Sequence, residues 1–210
     1  MPVAKYTGPV CRFCRREGLK LFLKGERCLS ERCAFERRNY APGQHGQHRS
    51  KLSDYGLQMR EKQKVRRVYG MQEKQFRDFF RLAASKRGVT SEIFFQNLEL
   101  RLDNVVYRMG FATSRQEARQ IVNHRHVLVN GKILNIPSAR VKVGDVVSIK
   151  EKSTSISRFA LASEHFSKRA ALPWIEVDSS KFTGKVVALP KREDIQLDVK
   201  EHMIVELYSK

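Results

Sequence analysis

No run in this chain approaches the roughly 18 uninterrupted apolar residues of a membrane-spanning helix. Residues 1–10 hold no apolar segment of the secretory kind, so a cytosolic protein is expected. Acidic side chains are scarce, with 22 Asp and Glu against 41 Lys and Arg, a net charge of +19 over 210 residues. Cysteine occurs four times and not once beyond residue 33. The six histidines, at 45, 48, 124, 126, 165 and 202, form no catalytic-triad or metal-ligand spacing.

What remains is enough for a fold. Hydrophobic residues make up 41% of the chain, and its length suits two small domains or one with an insertion. A compact chain carrying this much positive charge repels itself unless a polyanion neutralises it. The charge is uneven: residues 1–97 hold 22 basic and 9 acidic side chains, residues 98–150 hold 9 and 4, and residues 151–210 hold 10 and 9. A nucleic acid is therefore expected to be gripped by the first two segments, and the balanced last segment suits packing or protein contact.

Residues 1–50 read as irregular and too poor in aliphatics to form a core alone. Their four cysteines have the spacing C-x2-C-x13-C-x4-C, at Cys11, Cys14, Cys28 and Cys33. Two close pairs across a loop can aim four thiolates at one point, as structural zinc requires. An iron–sulfur cluster uses the same donor set, and both metals stay open. Disulfides are disfavoured in a reducing cytosol. Arginines and lysines crowd the site, Arg12, Arg15, Arg16 and Lys20 among them, which makes a metal-stapled hub for phosphate.

From about 57 to 109 the period is helical. Phe76, Phe79, Phe80 and Ala83 share one face, Lys74, Arg77 and Arg81 another, and Gly70 and Gly88 bracket the helix. A further helix carries Leu98, Leu102, Val105, Val106 and Met109 as one stripe. Ser114 and Glu117 have capping-box spacing ahead of a helix with Ala118, Ile121 and Val122 inward. The period then becomes two: a hairpin turns at Asn130-Gly131, and a second hairpin is expected over 141–149. A helix over 158–171, short strands at 174–178 and 184–189, and a final helix after Asp198 complete the reading. Arg115 and Arg119, one turn apart, followed by Asn123-His124-Arg125-His126 and the tip Asn130-Gly131-Lys132, form a basic ridge suited to shape-specific RNA recognition.

Ser114-Arg115-x-Glu117-Ala118-Arg119, Val127-x-Val129-Asn130-Gly131-Lys132 and Gly144-Asp145 resemble the small RNA-binding module named after the S-four family of ribosomal proteins. The rest of the chain is similar to that family in its bacterial or organellar form: Tyr6-Thr7-Gly8-Pro9, Arg15-Arg16-Glu17-Gly18, Ala41-Pro42-Gly43-Gln44-His45-Gly46, Leu52-Ser53-Asp54-Tyr55-Gly56, Arg60-Glu61-Lys62-Gln63-Lys64, Leu102-Asp103-Asn104-Val105-Val106-Tyr107-Arg108 and Val205-Glu206-Leu207-Tyr208. The resemblance implies a primary binder of small-subunit rRNA that nucleates assembly of its five-prime domain. It also implies a place beside the mRNA entry channel, contact with neighbouring ribosomal proteins, an influence on translational accuracy and, in some members, repression of the protein's own message. Some members lack the four cysteines. In relatives the residues after the Gly-Gln-His-Gly loop are basic and lie near entering mRNA; Arg49 and Lys51 match, while His48 stands where a permanent charge is common.

An RNA-modifying enzyme would need a catalytic domain, and only 60 residues lie beyond the first two segments, so no enzyme, small-molecule substrate or membrane partner is expected. A DNA regulator would need a recognition helix for the major groove. The expected fold is α+β: a four-Cys metal-bound extension over 1–50, a helical body over 51–97 with 195–210 packing back, the RNA-binding module over 98–160, and a helix with short strands over 161–194. Besides the basic residues already named, Arg37, Arg38, His45, Tyr55, Lys62, Lys64, Arg66, Arg67, Arg101, Arg108, Ser114, His124, Arg125, Asn130 and Lys132 are candidate RNA contacts.

Overall fold

A computed structural model describes residues 6–48, 51–166 and 172–209. The chain divides into two compact units, Met1–Ser91 with Leu197–Lys210, and Glu92–Gln196. The four segments read from the sequence thus merge into two.

In the first unit, residues 6–48 carry more structure than expected. Helix α1 (Cys11–Glu17) is stopped by Gly18 at φ 64°, whose N–H donates to the Cys14 carbonyl. A 3-10 turn (Gly25–Cys28) and α2 (Ala34–Arg37) follow. Helix α3 (Asp54–Val68) begins at Ser53, whose hydroxyl accepts from the Gly56 amide. It buries charge as well as apolar groups: Gln58, Glu61 and Lys62 lie beneath the surface with Val65 and Val68. Helix α4 (Glu73–Ala84) turns Phe76, Phe80 and Ala83 inward, with Phe79 half-buried. The final helix, α10 (Glu201–Ser209), packs along α3. There Gln58 Nε2 donates to Glu206 Oε2 (2.9 Å), the Lys200 amide to Glu61 Oε2 (3.0 Å), and the Tyr208 ring stacks on Phe80 with centroids 4.6 Å apart.

The second unit begins within α5 (Thr90–Glu99). The single stripe expected from Leu98 to Met109 is two helices, because the chain turns at Leu100–Arg101 before α6 (Leu102–Arg108). The corner is clasped by residues 137–141: Leu102 N donates to Ala139 O (2.8 Å), Val141 N to Leu100 O (2.9 Å) and Asp103 N to Pro137 O (3.1 Å). This corrects the second hairpin. Val141 is committed to the corner, so of residues 141–149 only β3 forms.

Helix α7 (Arg115–Asn123) leads into a five-stranded sheet of β1 (Val127–Val129), β2 (Lys132–Ile133), β3 (Val146–Ile149), β4 (Ile175–Asp178) and β5 (Thr183–Val186). All neighbours are antiparallel, in the order β2-β1-β3-β5-β4. Asn130 and Gly131, at φ 50° and 77°, make the mirror-image turn that matches the strand twist. Between β3 and β4 lie α8 (Glu151–Thr154), where no helix was expected, and α9 (Ser157–Phe166); the rest of the expected 158–171 helix is outside the described residues.

One face of the sheet closes over α6 and α7. Val105, Val106, Ala118, Ile121, Val122, Val127, Val147, Phe159, Trp174 and Val186 are all at most 1% exposed within one cluster. Gly184 allows the close approach of β5 to Met109, since a Cβ there would sit 2.7 Å from the methionine sulfur.

Candidate RNA-binding surface

Helices α6 and α7 pack against each other. Because α7 commits Ala118, Ile121 and Val122 to the core, Arg115 and Arg119 fall on its flank, over the first turn of α6. The helix start is fixed by Ser114, whose hydroxyl accepts from the Glu117 amide at 3.3 Å. The reciprocal half of the expected box falls one residue earlier: Glu117 Oε2 accepts from the amide (2.8 Å) and hydroxyl (2.6 Å) of Thr113. Ser114 is 8% exposed, and its hydroxyl caps the helix.

Two buried polar residues of α6 aim the two arginines. Arg115 Nε donates to Asn104 Oδ1 (2.8 Å), and its guanidinium lies 4.6 Å over the Tyr107 ring. Arg119 Nη1 donates to Asp103 Oδ2 (3.3 Å). Asp103 is also gripped at two points by Arg101, at 3.1 and 2.8 Å. Asn104 Nδ2 donates to the Glu99 carbonyl (2.9 Å) and to Glu99 Oε2 (2.7 Å), and Arg108 holds the same carboxylate with two bonds of 2.8 Å. Two buried carboxylates thus hold three guanidiniums, Arg115 is held through Asn104, and the ridge keeps a positive excess in a rigid frame. Arg101 is 1% exposed and Arg108 is committed to Glu99, so the structure makes both of them struts. Asp103, Asn104 and Glu99 were missed as supporting groups; the signal was polar residues interrupting an otherwise apolar helical stripe.

The hairpin tip is also a built unit. Asn130 Nδ2 donates to Asp145 Oδ1 (2.8 Å), Asn130 Oδ1 accepts from the Val146 amide (2.9 Å), and Asp145 Oδ2 accepts from the Lys142 amide (2.7 Å). The Asn-Gly and Gly-Asp turns brace each other, and Asn130 locks the tip where a nucleotide contact was expected of it. Lys132, His124 and Arg125 are exposed on the same stretch. His126 Nδ1 lies 2.9 Å from the Ser153 hydroxyl; burial first, then the charges of His124, Arg158 and Lys150, pull its pKa down.

In the first unit the basic residues sort into two sets. Lys62 Nζ donates to Glu73 Oε1 (2.6 Å) and is 5% exposed, Lys64 pairs with Glu61 at 2.5 Å, Arg66 faces Glu73 at 3.5 Å, and Arg67 pairs with Glu17 while lying 4.5 Å over the Phe13 ring. Burial pushes the Glu17 carboxyl up, and Arg60, Arg67 and Lys64 draw it back. Lys62, Arg66 and Arg67 fasten α3 to its neighbours, and Lys64 pairs within the helix. Lys20 pairs with Glu36, and Arg15 donates to the carbonyls of Tyr40 (2.9 Å) and Ala41 (3.4 Å). The exposed set is Arg12, Arg16, Arg37, Arg38, Lys51, Lys74, Arg77 and Arg81, with His45 and Tyr55. Arg49 lies outside the described residues.

The cysteines are free thiols. Cys14, Cys28 and Cys33 are each 7% exposed, and Cys11 is half-buried. Burial raises the thiols of Cys14 and Cys28, and the cysteines are near enough to one another to add to the effect. The Lys24 amide donates to Cys28 Sγ at 3.3 Å and the Leu21 amide to Cys14, the kind of donor that steadies a thiolate. Neighbouring sulfurs with amide donors have the chemistry for a thiophilic cation. Among the described residues, however, no three His, Cys, Asp or Glu side chains stand at ligand spacing.

Residues 5–99 match the ribosomal protein S4/S9 N-terminal domain family, and residues 100–147 match the S4 domain family. The chain is 59% identical over 208 residues to the small ribosomal subunit protein uS4 of Caldicellulosiruptor saccharolyticus, covering 99% of this chain and all of the relative. The same identity and coverage hold for its counterpart from Acetivibrio thermocellus, and the identity is 56% for that of Citrifermentans bemidjiense. With both family segments in order and full-length relatives at this identity, the chain belongs to the bacterial small ribosomal subunit protein uS4 family.

Proposed function

We propose that this protein is a structural rRNA-binding component of the small ribosomal subunit in the cytoplasm, with no catalytic role of its own. The observation that carries this is the α6–α7 ridge, where buried Asp103 and Asn104 hold Arg119 and Arg115 in fixed directions. Fixed guanidiniums recognise a particular arrangement of phosphates and 2′-hydroxyls, while the exposed cations of residues 6–48, Lys51 and those of α4 add charge and reach.

The finer role is early binding that organises the five-prime domain of the rRNA, a position near entering mRNA and neighbouring subunit proteins, an influence on accuracy, and repression of its own message. It is supported by family membership and by the exposed His45, His48 and Lys51 around the Gly-Gln-His-Gly loop. Titrating purified protein onto small-subunit rRNA at several salt concentrations tests the reading. Neutralising about six phosphates gives a slope of log affinity against log salt near −4 or steeper. A slope shallower than about −2 overturns it.

Cys11, Cys14, Cys28 and Cys33 would hold one zinc ion, or alternatively an iron–sulfur cluster, as a staple for the extension. The metal supplies cross-linking of chain segments and no reaction. Elemental analysis and absorbance should find one four-thiolate centre per chain, and Cys28→Ser should expose residues 6–48 to protease while sparing residues 98–150. Metal-free protein with an unchanged cleavage pattern would refute the staple.

A further inference from the structure

Phe22 combines two unfavourable features, a strained backbone and an exposed ring. Its φ is 49°, a left-handed conformation in which a Cβ crowds the following carbonyl, and its side chain is 46% exposed. Phe182, at φ 46°, makes a useful contrast: its ring packs edge-on against Phe111 and Phe159, so burial offsets the strain. Among the described residues no ring covers Phe22.

The surroundings force the phenyl outward. Leu21 and Leu23 are buried to 4% and 8% on either side. The Leu21 amide is held by Cys14, and those of Leu23 and Lys24 by Cys28, so the backbone of 21–24 is pinned at both ends by sulfur. Lys24 is exposed two residues on, and Lys20, two residues before, is held in place by Glu36. Other aromatic rings of this region are occupied: Tyr6 lies against Phe13, and Tyr40 carries the Arg15 guanidinium at 4.9 Å.

We propose that Phe22 is a stacking platform for one unpaired RNA base, with Lys24 gripping the adjoining phosphate. A flat ring, held proud of a rigid loop and flanked by cations, fits the π-face of a splayed-out nucleotide better than an apolar protein pocket, which would leave the lysines buried. The site rests on the rRNA-binding reading and adds to it a contact with a base, where the arginine ridge addresses backbone.

The test uses the full chain and three probes: small-subunit rRNA, single-stranded oligoadenylate, and inorganic polyphosphate, which has the charge but no bases. Phe22→Trp provides a fluorescent reporter, because the natural Trp174 is 1% exposed and gives a constant background. Oligoadenylate should quench the new emission and polyphosphate should not. Phe22→Leu keeps apolar bulk without a ring and should lower rRNA affinity about five-fold or more. The salt slope should not change, since no phosphate contact is lost. Phe22→Gly should lose the same affinity while melting no lower than the native chain, because glycine accepts the left-handed backbone. Native-like rRNA affinity of the Leu and Gly variants, with no quenching of the Phe22→Trp reporter, overturns the platform and is the result expected if Phe22 docks onto a protein. A native chain that shows no salt-dependent rRNA binding takes down the RNA reading and the platform with it.

Discussion

Asp103 satisfies two cations of unequal standing. Arg101 is sealed at 1% exposure, while the Arg119 side chain keeps 26%. Removing the carboxylate leaves the first guanidinium charged in the core, and such a loss costs about 3–5 kcal/mol, far more than a surface pair is worth. Asp103→Ala should therefore lower the melting transition of the second unit sharply in calorimetry. Arg119→Ala, which leaves Asp103 still paired with Arg101, should shift that transition little. Equal shifts would mean that Arg101 finds another anion and that Asp103 is not the keystone of the ridge.

At the scale of elements, the Asn130-Gly131 hairpin and the Gly144-Asp145 turn form one brace, and Asn130 supplies both a donor and an acceptor to it. Asn130→Ala loses two hydrogen bonds at an exposed site, worth about 1–2 kcal/mol together. It also places a β-carbon without polar support at φ 50°. Faster amide exchange at Val146 in the variant, with the core amides of Val127 and Ile149 unchanged, is the expected signature; exchange as slow as in the native chain would show that the turns stand independently. Periodicity made the helices around Phe76 and Ala118 and the strand–turn–strand at Asn130 legible, because each uses contacts within a few residues. The break at Leu100–Arg101 was not legible, since an apolar stripe can continue through a corner that is set by residues 137–141. The pairing of β3 with β5 was hidden for the same reason: more than 30 residues separate the partners. For the site, residue type located Arg115 and Arg119, but only tertiary packing distinguishes them from Arg101 and Arg108, which have the same chemistry and face inward.

At the scale of the whole molecule, a charge of +19 hides two kinds of cation. Lys74, Arg77 and Arg81 lie exposed along α4, opposite the buried Phe76, Phe80 and Ala83, and no neighbour fixes their direction among the described residues. Arg115 and Arg119 are anchored to α6. Freely moving cations follow phosphate wherever it lies, so replacing the α4 trio with alanine should weaken cognate and random RNA alike and flatten the salt slope by about 2–3. Replacing Arg115 and Arg119 removes charge-assisted bonds worth about 1.5–3 kcal/mol each, and these are made only where the RNA presents acceptors in the matching geometry. That pair should cost cognate rRNA ten-fold or more in affinity and random RNA much less. Filter binding of both variants to both RNAs across a salt series separates the two behaviours. Parallel losses from the two sets would show that the anchored arginines act as charge alone, and that specificity lies elsewhere on the molecule.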